Sequence, residues 1–134
     1  MSVANSPECE HFPSGSLTEA DPTPGMTRRL ATTTNQMWTG TVDTEPGAVT
    51  GWHHHGDHET TIYVVSGTFR LEYGDGGREV IEAGAGDFIR VPRGAIHRES
   101  NPGDEASHAV LVRCGEGPPT INVDGPQRDS DEVS

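Results

Sequence analysis

Lysine is absent from this 134-residue chain: its nine cations are all arginines, set against 21 carboxylates, for a formal charge of −12 at pH 7. An acidic surface repels phosphate backbones and anionic headgroups, so neither nucleic acid nor a membrane surface is an expected partner. Aromatic residues are scarce at 5%, and hydrophobic residues reach only 31%. No apolar run approaches the ~20 residues that a membrane-spanning helix needs. Cysteine is nearly missing too. Cys9 and Cys114 lie far apart, which is no disulfide framework, and a reducing cytoplasm is the expected compartment. Residues 1–16 lack a basic patch followed by an apolar stretch, so no signal peptide is expected. No segment of useful length carries a helical period.

Glycine (17) and proline (10) are plentiful, and the apolar residues concentrate between Met37 and Val112. Within that span, short runs rich in β-branched and aromatic residues alternate with turn signals. Strands are expected at Met37–Val42, Ala48–His55, Thr60–Val65, Thr68–Tyr73, Arg78–Glu82, Phe88–Val91, Ile96–Glu99 and Ala109–Val112. Pro46-Gly47, Gly56-Asp57, Gly74-Asp75-Gly76-Gly77 and Gly84-Ala85-Gly86-Asp87 separate them. Many short strands at even spacing predict an all-β sandwich or barrel with one core. Residues 1–25 show no period and read as a flexible or strand-exchanging arm. Residues 26–114 form the barrel, and 115–134 a polar tail.

Four of the seven histidines fall within six positions: His53, His54, His55 and His58. On a strand, His53 and His55 project from one face and His54 from the other. Two neutral imidazoles on one face can hold a metal ion. His97 follows the rigid stretch Pro92-Arg93-Gly94-Ala95-Ile96 and becomes a third ligand if a barrel brings its strand alongside. His11 and His108 are expected to be structural. Ile62 and Val64 share the inner face of their strand and are expected to line an apolar pocket. Arg90 is read as a strand-edge surface cation, the alternative being a carboxylate-binding side chain in the pocket.

The spacing of these residues resembles the cupin superfamily. Its second motif, G-x5-P-x-G-x2-H-x3-N, is filled at every fixed position by Gly86, Pro92, Gly94, His97 and Asn101. Its first motif, G-x5-H-x-H-x(3 or 4)-E-x6-G, is matched by Gly47, His53, His55 and Gly67. The acidic position departs from the pattern. Glu59 has the right spacing from His55, but six residues before Gly67 stands Thr60. Side chains alternate along a strand, so that one-residue offset decides which of them faces the site. Glu59 is taken as the fourth ligand beside His53, His55 and His97; with Thr60 in the slot, water or His58 completes a three-histidine site. The resemblance implies a double-stranded β-helix, or jelly-roll barrel, holding one divalent ion (Fe, Mn, Ni or Zn), often in a homodimer. It also implies a small-molecule substrate or ligand. An oxygenase-like enzyme, a non-oxidative isomerase or decarboxylase, and a non-catalytic binder all share this fold.

Overall fold

A computed structural model of the chain describes residues 7–117 and 120–127. Among the described residues eleven strands run in order: β1 (Thr18–Thr23), β2 (Met26–Thr33), β3 (Met37–Thr44), β4 (His53–His54), β5 (Glu59–Ser66), β6 (Phe69–Tyr73), β7 (Glu79–Ala83), β8 (Phe88–Val91), β9 (His97–Ser100), β10 (Ser107–Cys114) and β11 (Ile121–Asn122). They form two antiparallel sheets, ordered β1-β2-β3-β10-β5-β8 and β11-β4-β9-β6-β7. The inner eight strands, β3 to β10, make a jelly roll of two facing four-stranded layers. The β1–β2 hairpin extends one layer beyond β3, and β11 extends the other beyond β4, on the same side of the barrel. Among the described residues no helix is long and apolar enough to cross a membrane.

The period of two is visible in the burial. Along β5, Thr60, Ile62 and Val64 are buried while Thr61, Tyr63 and Val65 are exposed. Along β10, Ser107, Ala109, Leu111 and Arg113 turn inward. The core between the layers joins Val42, Ile62, Val64, Ala109 and Leu111 from one sheet to Phe69, Leu71 and Ala83 from the other. Gly67 makes the β5–β6 turn at φ +77°, where an added Cβ would stand 2.7 Å from the backbone of Ser107. Asn101 ties the β9–β10 connection together. Its amide donates to the carbonyls of Thr44 (3.0 Å) and Glu105 (2.8 Å), and its carbonyl accepts from Gly103 N–H at 2.9 Å.

Three segments differ from the sequence reading in local detail. Within the arm, residues 18–23 form β1, which pairs with β2 in this chain. The tail adds β11, which pairs Ile121 with His54 and Asn122 with His53. Residues 1–6 of the arm, and 118–119 and 128–134 of the tail, lie outside the described residues. The strand expected at Ala48–His55 shrinks to the two residues of β4 and an isolated bridge between Val49 and Ser100, since Gly51 and the turn before it break the ladder.

Candidate metal centre

Antiparallel pairing sets His53 of β4 directly opposite His97 of β9, so both rings leave the sheet on one face. His55 lies two residues past His53 and turns to the same side. The three ring centroids are 4.4, 5.0 and 5.2 Å apart. One donor nitrogen from each lies within 4.8 Å of the other two, and all three side chains are buried. His54 faces away and accepts from Gly56 N–H at 3.0 Å. His58 is buried but stands outside the group, its Nδ1 donating to the His55 carbonyl at 3.1 Å.

The backbone presets the ring tautomers. Nδ1 of His97 lies 2.9 Å from the Ala95 carbonyl, which can only accept, so the proton sits on Nδ1 and Nε2 carries a lone pair. That Nε2 is buried and has no hydrogen-bond partner among the described residues. A buried acceptor without a partner is unfavourable, and a cation is the partner that suits it. His53 likewise donates from Nδ1 to the Gly51 carbonyl at 2.9 Å and turns Nε2 to the cluster. The donor set, imidazoles anchored through their second nitrogen to backbone carbonyls, fits a divalent transition metal.

A buried carboxylate that the spacing argument missed stands beside these rings. Glu99 is 4% exposed, and its Oε2 lies 3.2 Å from His53 Nε2. Burial alone would push its carboxyl up. The hydrogen bond with His53 and the charges of His97, His53 and Arg28 overcome that and hold it well below the ordinary carboxylate range. For His53, burial works downward, but the hydrogen bond and charge of Glu99 and the Gly51 carbonyl prevail and raise it. For His97 burial prevails over the Glu99 charge, and the ring is driven toward its neutral form. The period of two from His97 to Glu99 on one short strand was the signal for this residue.

The register at the acidic position goes to threonine. Thr60 is 2% exposed and pairs with Val91 and Arg113 across β5, with its side chain inward. Glu59 is therefore on the outer face. Its side chain is 42% exposed, with Arg90 at 3.6 Å and Arg93 at 3.8 Å, and it does not join the histidines. No bulge turns it inward, so this structure does not bring the expected fourth ligand to the three histidines. Arg90, at 65% side-chain exposure, takes the surface role. His108 is exposed and bonded to Asp43 at 2.6 Å.

His53 and His55 open on a cavity of about 500 Å³, also lined by Asp21, Thr23, Arg28 and Arg113. Its walls come partly from the β1–β2 hairpin and the segment around β11. His97 also walls a smaller cavity of about 260 Å³ with Tyr73, Ile81 and Ala95. Ile62 and Val64, expected in a pocket, are instead packed in the core. Arg28 and Arg113 were not singled out by the sequence. Arg113 continues the inward alternation of Ala109 and Leu111, which was the available sign.

The family described as Cupin domain matches residues 40–113, more than half of the chain. No curated protein matches it. Among solved structures, an uncharacterized conserved protein with a double-stranded β-helix domain from Klebsiella pneumoniae superposes with a TM-score of 0.68 at 23% identity, over 87% of this chain and 99% of that one. KdgF from Halomonas sp. gives 0.66 at 23% identity, over 92% and 99%. Oxalate decarboxylase from Bacillus subtilis, a protein with Mn(II) centres, gives 0.65 at 25% identity over 79% of this chain and 30% of its own length.

Proposed function

The chain belongs to the cupin family, and on that premise we propose that it is a metal-dependent enzyme of oxygenase-like type acting on a small molecule. One observation carries the reading. Three buried imidazoles converge with their nitrogens within 4.8 Å, and two of them open on a cavity large enough for a small substrate. His53, His55 and His97 would hold one divalent ion; that ion supplies Lewis acidity and, where it is iron, redox chemistry with dioxygen. The protein's share is positioning and exclusion of water. The carbonyls of Gly51 and Ala95 fix two rings, and β1, β2 and β11 cover the side of the barrel where the cavity lies.

The second reading is a non-oxidative reaction such as isomerisation or decarboxylation, favoured by the likeness to oxalate decarboxylase. Elemental analysis of protein purified without a histidine tag or chelator, followed by oxygen-uptake assays on enols, phenols and thiols, separates the two. Stoichiometric iron with oxygen consumption supports the first. Turnover indifferent to oxygen with Mn, Zn or Ni supports the second. No metal after reconstitution refutes both. We place the protein in the cytoplasm, in keeping with two exposed, unpaired cysteines, and as a homodimer, which sedimentation equilibrium tests directly.

A further inference from the structure

The arginines divide into two groups. Arg29 pairs with Asp43, Arg70 with Glu82, Arg78 with Asp75, Arg90 with Glu59, Arg93 with Asp57, and Arg98 with Glu72. Among the described residues only Arg28 and Arg113 have no carboxylate within ion-pair distance; Arg128 lies outside them. These two are also the buried ones, at 8% and 3% exposure, and both line the cavity beside His53 and His55. In a chain with 21 carboxylates, the most desolvated guanidiniums are the ones left without a direct ion pair; the nearest buried carboxylate, Glu99, acts on both only from beyond contact. Stability alone favours the reverse arrangement, because a buried charge is unfavourable unless paired.

Arg113 is the less satisfied of the two. Its Nε and Nη1 are buried with no hydrogen-bond partner among the described residues, and so is Oγ1 of Thr60, its cross-strand neighbour. Glu99 is engaged with His53 and makes no ion pair with Arg113. Arg28 binds only neutral groups: the Asp21 carbonyl at 3.1 Å, Thr23 Oγ1 at 2.8 Å and Met26 Sδ at 3.8 Å. The Arg113 guanidinium stands over the Trp38 ring, its Cζ 5.1 Å from the centroid. Trp38 in turn lies over Gly40, where a Cβ would fall 2.6 Å from the indole. The guanidinium fork is thus stacked against Trp38 with its Nε and Nη1 donors unspent, and such a group suits a planar, two-oxygen anion.

We propose that Arg113, with Arg28 on the same cavity, receives a carboxylate of a small-molecule ligand whose remaining atoms lie against His53 and His55. This rests on the reading of that cavity as the substrate site and names the substrate class: small carboxylic acids. Asp21 at the cavity wall is exposed and contributes its backbone carbonyl to Arg28; its carboxylate makes no ion pair with either guanidinium and acts on Arg113 only at a distance.

The test is calorimetric titration of the full chain, metal-free and Mn(II)-loaded, with malonate, malonamide and inorganic phosphate at fixed ionic strength. The metal-free arm isolates the arginines, because malonate also chelates metals. Malonate should bind metal-free protein at least about tenfold more tightly than malonamide or phosphate. Arg113→Met should lose that preference while melting, without ligand, at the wild-type temperature or a few degrees above it, since a desolvated charge has gone. If that variant does not fold, Arg113→Lys is read instead. It keeps a cation on Trp38 but not the fork, and should weaken malonate about fivefold or more. Equal binding of malonate and malonamide, tighter binding of phosphate, or malonate affinity unchanged in the folded variant overturns the inference. Metal content, measured separately, keeps the two readings apart. Metal bound without malonate preference sinks this inference alone. Arg113-dependent malonate binding in protein that takes up no metal upholds it and sinks the metal reading alone.

Discussion

Replacing Glu99 by Gln gives the sharpest test of the electrostatics around the histidines. Nδ1 of His53 faces the Gly51 carbonyl at 2.9 Å and Nε2 faces the Glu99 carboxylate at 3.2 Å. Flanked by two acceptors, the ring satisfies both only as imidazolium, in line with its raised pKa. Both side chains are about 5% exposed, so solvent screens the pair little. Removing the carboxylate while His53 is charged leaves an uncompensated buried cation, a loss of about 3 kcal/mol. The sign follows from linkage. A raised folded pKa means the His53 contribution is complete below the ordinary value of 6.5 and is lost as pH rises through the raised one. At about pH 6, metal-free Glu99→Gln should therefore melt roughly 10 °C below wild type. At about pH 9.5 wild type sets a bare Nε2 lone pair against a carboxylate, whereas the Gln amide donates to it. The difference should then vanish or reverse. Thermal denaturation of both proteins in chelator at the two pH values reads this directly. An equal loss at both would show that Glu99 is held by packing and that His53 is neutral throughout.

Other expectations follow from the same geometry. His97→Ala should fold, because it removes a nitrogen that has no partner among the described residues, yet elemental analysis should find substoichiometric metal; full occupancy would remove His97 from the site. Gly40→Ala places a Cβ 2.1 Å from the Arg29 carbonyl and 2.6 Å from the Trp38 ring, and should destabilise by about 2–4 kcal/mol with a shift in tryptophan emission. A variant melting like wild type would show that the Trp38 stack is loose. Glu72 is held below the ordinary carboxylate range by its hydrogen bonds from Arg98, at 3.0 and 3.2 Å, with burial working the other way. Its contribution is present above the unfolded pKa and lost as pH falls through the lowered one. Because Arg98 is partly exposed, Glu72→Gln should cost about 0.5–1 kcal/mol at neutral pH, with the difference closing in acid; a gap that persists there assigns the effect to packing.

The barrel and the three histidines were readable because both rest on local periodicity. Alternation places Thr60, Ile62 and Val64 on one face, and spacing places His53 beside His55. The same alternation already pointed Glu59 outward, and only analogy with four-ligand sites drew it in. Glu99 was open to the same argument from His97. Arg113 was less so: its alternation shows that it turns inward, but not that a cavity rather than a carboxylate awaits it there. β1 and β11 were not read as strands. Their residues show no period, and each becomes a strand because an open edge supplies hydrogen-bond partners: β2, its hairpin neighbour across Pro24-Gly25, for β1, and β4, far along the chain, for β11.

The cavity has a division of labour written along the sequence. The span that matches the family, residues 40–113, contains His53, His55, His97 and Arg113. Asp21, Pro22, Thr23 and Arg28 precede it, and Thr120 and Asn122 follow it, yet all six line the same cavity. The three histidines are thus housed in the family-matched barrel, while much of the cavity wall comes from two segments outside that span. Such an arrangement lets selectivity drift while the histidines stay put. It also makes chimaeras practical: if the cavity takes the proposed carboxylate ligand, exchanging the hairpin and the β11 segment between relatives should retune binding while leaving metal uptake by the histidines unchanged.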